Sequence, residues 1–260
     1  MATYLDRIVA AHRAAAARDP RPLGALVEAA AAEPPARRFS AALAAHPGLA
    51  VIAEVKRRSP SRGDLRPDLV PGVLAKSYAD GGAACLSVLT DGDFFGGSAD
   101  DLAEVRTAVD LPVLRKDFTV SPRDVCDART MGADAVLLIV AALDDSELAD
   151  LHALATDVGL DALVEVHDEA ELDRALAVGA TLVGVNQRDL VTFDVDVGRA
   201  ERVARHLPEG VVSVAESGIS RRADAERLCD LGYDAVLVGE SVVRADDPAA
   251  AVRELCVPCS

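Results

Sequence analysis

Tryptophan is absent from this chain of 260 residues, and aromatic side chains make up only 3% of it. No stretch approaches the roughly 18 uninterrupted apolar residues that a membrane span needs, so spanning helices are not expected. Positive charge is scarce. Against 43 acidic residues stand 27 basic ones, and the formal net charge of −16 excludes nucleic acid and anionic membranes as main partners, since both require clustered positive surface. A small anionic ligand is not excluded, because it feels only a local pocket. Cysteine is sparse and odd in number: Cys85, Cys126, Cys229, Cys256 and Cys259 lack the paired spacing of a disulfide framework or a four-ligand zinc site. Cys256 and Cys259 do form a C-x-x-C, but at the extreme end of the chain rather than at a helix start, and a tail with two free thiols is expected. The phosphate fingerprints G-x-G-x-x-G and G-x-x-x-x-G-K-[ST] are both missing. The opening stretch "MATYLDRIVAAHRAAAARDP" has charges scattered through an alanine-rich helical pattern and no apolar secretion-signal core; a cytoplasmic protein is expected.

What is present is a repeated alternation of short apolar runs and amphipathic helical stretches. The runs are "VIAEV" at 51, "ACLSVL" at 84, "PVLRKD" at 112, "AVLLIV" at 135, "ALVEV" at 162, "LVGVN" at 182, "VVSVAE" at 211 and "AVLVGE" at 235. Each interval holds a strand and a crossover helix with little to spare. Near-continuous apolar strands followed by helices imply a parallel sheet covered on both faces, and eight such units imply a (β/α)8 TIM barrel; a doubly wound sheet is the runner-up. Residues 1–48 read as an N-terminal helical extension packed on the barrel, and 49–260 as the barrel itself.

In such a barrel, chemistry gathers where strands end. Residues two apart in a strand share a face, so Glu54 and Lys56 face one way while Ala53 and Val55 face the other. The remaining run ends supply Arg115, Lys116 and Asp117; Glu165; Asn186 and Arg188; Glu216 and Ser217; and Gly239 and Glu240. The chain has only three lysines, Lys56, Lys76 and Lys116, and two of them sit at run ends. Lysine can release a proton where arginine cannot, which suits these two positions to acid catalysis or to a compact point charge. Gly218 and Gly239 follow the last two runs, where bare backbone N–H groups can approach a phosphate closely.

The segments "EVKRRSPSRGDL", "LSVLTDGDFFGGS", "LPVLRKDF", "ALVEVHDEAEL", "GVNQRDL", "VAESGI" and "VLVGES" resemble, in order and spacing, the motifs of the indole-3-glycerol phosphate synthase family of tryptophan biosynthesis. The resemblance runs from about residue 36 to 245 and touches every barrel unit. It departs at Gln187 and in the cysteine-containing tail. It implies ring closure, decarboxylation and dehydration of 1-(2-carboxyphenylamino)-1-deoxyribulose 5-phosphate. On that pattern Lys116 is the general acid and Glu165 the proton-transfer carboxylate; Lys56 meets anionic groups of the substrate; Glu54 and Asn186 orient the reacting groups; and Glu216 and Ser217 complete the catalytic set. Ser59, Phe95, Phe118 and Arg188 are expected to bind substrate, with Phe94 beside them, and Gly218, Gly239 and Glu240 to hold its phosphate. "RRSPSRGD" reads as a mobile loop closing over the substrate, with Arg57, Arg58 and Arg62 drawing it in.

No metal or organic cofactor is implied, since the histidines are scattered and "DGD" at 91–93 reads as a turn. The expected partner is a small, anionic, phosphorylated substrate. Nothing demands a second subunit, and the case for tryptophan-pathway partners is weak. A phosphosugar isomerase and a Schiff-base aldolase stay open on the same fold, although Cys85 begins its run rather than ending it, which misplaces a thiol for the isomerase.

Overall fold

The apolar runs become eight parallel strands in the computed structural model, which describes residues 3–59, 62–189 and 191–259. They are β1 (Ala50–Val55), β2 (Cys85–Leu89), β3 (Val113–Lys116), β4 (Ala135–Ile139), β5 (Asp161–Val166), β6 (Leu182–Asn186), β7 (Val212–Glu216) and β8 (Ala235–Val238). Neighbours pair in chain order and β8 returns to β1, closing a barrel. The doubly wound alternative is thereby excluded.

Strand alternation divides the apolar residues into two cores. Val51, Ala53 and Val55 point outward into the layer beneath the helices, whereas Ala50 and Ile52 point into the barrel. The inner core is stacked. Ile52, Leu114, Leu163 and Val214 come from alternate strands, and two residues further along those strands stand Glu54, Lys116, Glu165 and Glu216. The period of two that buries the hydrophobic set therefore also lifts four charged side chains into one layer at the C-terminal mouth. Gly184 makes room for them, because a Cβ there would collide with Glu216 Oε1.

Several crossover helices start where the sequence supplies a cap, as Asp168 does for α8 (Glu169–Ala177), whereas α4 (Pro71–Asp80) and α9 (Gly198–Ala204) begin without a side-chain cap. In α5 (Ala99–Ala108) the Ser98 hydroxyl accepts from the Asp101 N–H; in α6 (Pro122–Thr130) Ser121 caps ahead of a proline; in α7 (Asp145–Asp157) Asp144 and Glu147 form a reciprocal capping box. Such caps each contribute about 1 kcal/mol.

Ahead of the barrel lie α1 (Tyr4–Arg18), α2 (Leu23–Ala32) and α3 (Phe39–Ala44). They run from the mouth to the floor. Tyr4, Leu5 and Ile8 of α1 line the mouth, α2 packs along α6, and Phe39 and Leu43 of α3 plug the N-terminal end of the inner core. Backbone N–H groups of Arg37 and Ser40 donate to Asp134 and Asp161 at 2.7 and 2.8 Å, which fastens α3 beneath the strands.

The tail corrects one expectation. Cys259 is not a free thiol; it is joined to Cys229 at the end of α10 (Arg222–Asp230), while Cys256 stays free. The reason lies in packing that the C-x-x-C spacing does not reveal. Val257 is buried and its carbonyl accepts the Leu49 N–H at 2.9 Å, so the last residues fold back across the barrel floor to α10.

Candidate active site

The strand ends enclose a cavity of about 570 Å³ at the C-terminal mouth, within the range of small-molecule sites. Most of the site residues named from the sequence line it: Glu54, Lys56, Ser59, Phe95, Lys116, Phe118, Glu165, Asn186, Arg188, Glu216, Ser217, Gly218, Gly239 and Glu240; Phe94, Arg57, Arg58 and Arg115 do not.

At the centre, the Lys116 ammonium donates to Glu165 Oε2 at 2.8 Å and to Glu216 Oε2 at 2.7 Å. Burial alone would drive this lysine toward neutrality, but the charges of Glu165, Glu216 and Glu54 outweigh it and hold the proton on more firmly than usual. The two carboxylates share one cation unequally. Burial would raise Glu165, yet Lys116, His167 and the Asn186 amide, which donates to Oε1 at 3.1 Å, bring it down to about 2. Burial raises Glu216, and the nearby charges of Glu165 and Glu54 add to it against Lys116, so it is pushed up to about 7. Its Oε1 has no hydrogen-bond donor among the described residues.

That asymmetry has a stability consequence. The folded protein keeps the Glu216 proton up to about 7, whereas an unfolded glutamate loses it near 4.3. Between those values the folded state binds more protons, so stability falls as pH rises through the window and stays lower above it. Urea unfolding at pH 5 and pH 8 should show a drop for the wild type that is smaller in Glu216→Gln by on the order of 1–3 kcal/mol, the remaining drop including that of His12 and His167, whose folded values are also raised. Equal drops in both proteins would refute the assignment.

Around this centre a second pair and a polar chain are fixed. Lys56 Nζ lies 2.5 Å from Glu54 Oε1. Gly239 leaves room for this pair, since a Cβ would strike the Glu54 carboxylate and stand 3.1 Å from Lys56 Nζ. The Ser217 hydroxyl donates to Asn186 Oδ1 at 2.8 Å, extending the chain from Glu165 to the turn after β7. In that turn Ser217 and Gly218 both have left-handed backbones, φ 67° and 73°, and Gln187 Nε2 braces it through the Ser217 carbonyl at 2.8 Å. The residue that departed from the family pattern is thus the one supporting this turn.

The arginines of the first loop divide. Arg62 lines the cavity and pairs with Glu240 at 3.3 Å. Arg57 is instead held by Asp101 at the start of α5, and Arg58 by the carbonyls of Gly92 and Asp93. They tie the loop after β1 to the loop after β2 rather than facing the cavity. Arg58–Ser59 and Gly63–Asp64 pair as a short antiparallel ladder; Pro60 and Ser61 of the expected closing loop lie outside the described residues.

Several lining residues escaped the sequence reading: Tyr4, Leu5 and Ile8 from α1, Phe193 and Val195 from the loop after β6, and Arg244. Phe193 takes a left-handed backbone, φ 65°, and its ring meets Tyr4 edge-on at 5.2 Å, while Tyr4 also meets Phe94 at 5.9 Å. Phe94 therefore packs beneath the helix and is not among the lining residues. The only advance signal was an aromatic residue in an alanine-rich helix.

Residues 5–255 match the family model described as indole-3-glycerol phosphate synthase. The chain is 50% identical over 254 residues to the protein of that name from Mycobacteroides abscessus, covering 97% of this chain and 93% of the relative. It is 53% identical over 230 residues to indole-3-glycerol phosphate synthase 2 of Streptomyces coelicolor, covering 88% and 89%. A thiamine phosphate pyrophosphorylase structure from Pyrococcus furiosus superimposes with a TM-score of 0.61 at 19% identity, over 80% of this chain and 93% of that one, which speaks for the fold alone. Because the match extends from the N-terminal helix to the last helix and takes in every barrel unit that contributes to the cavity, this chain belongs to the indole-3-glycerol phosphate synthase family.

Proposed function

We propose that the protein converts 1-(2-carboxyphenylamino)-1-deoxyribulose 5-phosphate to indole-3-glycerol phosphate, a carboxy-lyase reaction. The observation that carries this reading is the Lys116 ammonium held between two buried carboxylates in the middle of the cavity. When the ring carbon bearing the carboxylate attacks the ketone, charge develops on the ketone oxygen, and Lys116 supplies the proton that makes it a hydroxyl. Carbon dioxide then leaves, and the electrons of the broken bond restore the aromatic ring. Dehydration needs one proton given to the departing hydroxyl and one taken from the new five-membered ring. Glu165 takes the second. The first comes from a lysine, with Lys56 placed beside Glu54 for this step or for binding the substrate's anionic groups.

Asn186 and Ser217 keep Glu165 in register with the turn after β7, and Glu54 and Glu216 hold the two lysines. The phosphate is assigned to the backbone N–H groups of Gly218, Gly239 and Glu240, with Arg62 and Arg244, both beside Glu240, supplying positive charge there, and Arg188 to another part of the substrate. Ser59 contributes a hydroxyl from the first loop, and Phe95 and Phe118, with ring centroids 6.1 Å apart, wall the anilino ring.

Incubating the protein with this substrate while following indole fluorescence tests the reading; product should accumulate without added metal or cofactor. No fluorescence, or a covalent adduct on Lys56 or Lys116 after borohydride treatment with a ketose phosphate, would favour the aldolase instead.

A further inference from the structure

His12 lies on α1, outside the charged layer, yet it meets the two loops that carry the aromatic wall. Its Nε2 is 2.9 Å from Asp91 Oδ2 and 3.9 Å from Asp117 Oδ1. Both aspartates are buried, and each holds backbone of an aromatic residue. Asp91 Oδ1 accepts the N–H groups of Phe94 and Phe95 at 2.7 and 2.9 Å. Asp117 Oδ1 accepts that of Phe118 at 2.8 Å, while its Oδ2 takes Arg115 at 2.9 Å and the Thr90 hydroxyl. The His12 ring packs on Phe118, centroids 5.5 Å apart. Tyr4, Ile8 and His12 are spaced by four, so one face of α1 presents two lining residues and then this contact.

Every carboxylate oxygen in the cluster already has a protein donor, which reads as a docking joint. We propose that His12 is a positioning residue: by bridging Asp91 and Asp117 it fixes α1 over the mouth and holds Phe95 and Phe118 at the spacing the substrate's anilino ring requires. The last clause rests on the substrate assigned above. The holding of the Asp91 turn does not.

The joint is charge-dependent. Burial would lower the histidine, but the hydrogen bond to Asp91 and the charges of Asp117, Asp91 and Asp124 from α6 outweigh it and raise its pKa; Arg115 faces the cluster from the far side of Asp117. The folded value is above the unfolded one. The contribution is therefore complete below about 6.5 and lost as pH rises through the raised folded value.

The test compares wild type with His12→Ala and His12→Gln. In the wild type, KM should climb as pH is taken from 6 to 9; in H12A, KM should be about tenfold higher at pH 6, with kcat within about threefold, and should lose the wild type's pH dependence. H12Q retains a neutral donor to Asp91, so it should fall between the two with the same loss of pH dependence, and it carries the test should H12A fail to fold. Without substrate, amide exchange at Phe94 and Phe95 should quicken about tenfold in H12A. Unchanged KM together with an unchanged pH profile, or unchanged exchange at those amides, overturns the proposal, as does a lowered melting temperature with KM intact. If the wild type makes no product, the exchange measurement still decides the role of His12, and only the substrate assignment falls.

Discussion

Replacing Lys116 with alanine is expected to lower kcat by about 10³- to 10⁴-fold, the upper range for a positioned general acid. The firm hold of three carboxylates on this ammonium does not disqualify it as an acid in the proposed reaction, because an oxyanion formed on ring closure would be far more basic than a lysine, and transfer would be downhill once attack had begun. Loss of the ammonium does further damage. Glu165 and Glu216, each within 2.8 Å of its nitrogen, would face each other across a buried gap with no cation, and both would be driven toward their protonated forms. Glu165 would then arrive unable to accept a proton. Lys116→Arg separates the two effects. It restores a fixed positive charge but gives up protons poorly, so its melting temperature should stay within a few degrees of wild type while turnover remains down by about 10²-fold or more. Near-wild-type turnover in either variant, measured by indole fluorescence under saturating substrate, would remove Lys116 from the acid role.

The residues that sequence reading placed and those it missed differ in what fixes them. A strand has a period of two, so once Val51, Ala53 and Val55 are recognised as the outward face, Glu54 and Lys56 must turn into the barrel; the same reasoning reaches Lys116, Glu165 and Glu216 without coordinates. Helix α1 offers no such constraint. Its alanines make several faces nearly equivalent, and nothing local says that the face bearing Tyr4, Ile8 and His12 meets the mouth. Arg57 and Arg58 were read by charge alone, and their destination depended on Asp101 and on carbonyls of the next loop. Gly184 and Gly239 look like ordinary strand and turn glycines until Glu216 and Glu54 are in place beside them. In each case a contact distant in sequence selected among locally equal choices. Cys229 and Cys259, joined only because the tail crosses the barrel floor, follow the same rule.

Glu165→Gln should leave KM within a few-fold of wild type and reduce kcat by about 10²- to 10⁴-fold. Glutamine fills the same space, and its amide oxygen can still accept from Lys116, so binding geometry is kept while proton acceptance is lost. In the unliganded protein Glu165 is held down to about 2, which makes it a weak base. On the proposed reaction its basicity must rise, and transfer of the Lys116 proton to the substrate would provide that rise by removing the neighbouring positive charge. The acid step thus prepares the base step. The same coupling gives a second readout independent of turnover. With residue 165 uncharged, Glu216 becomes the main counter-ion of Lys116 and loses the repulsion that helps push it up to about 7, so its titration should move to lower pH. Carboxyl-selective infrared or NMR titration of wild type and Glu165→Gln would show this. A Glu216 transition that stays near neutral, or a variant that turns over normally, would break the link between the paired carboxylates and the order of the two proton transfers.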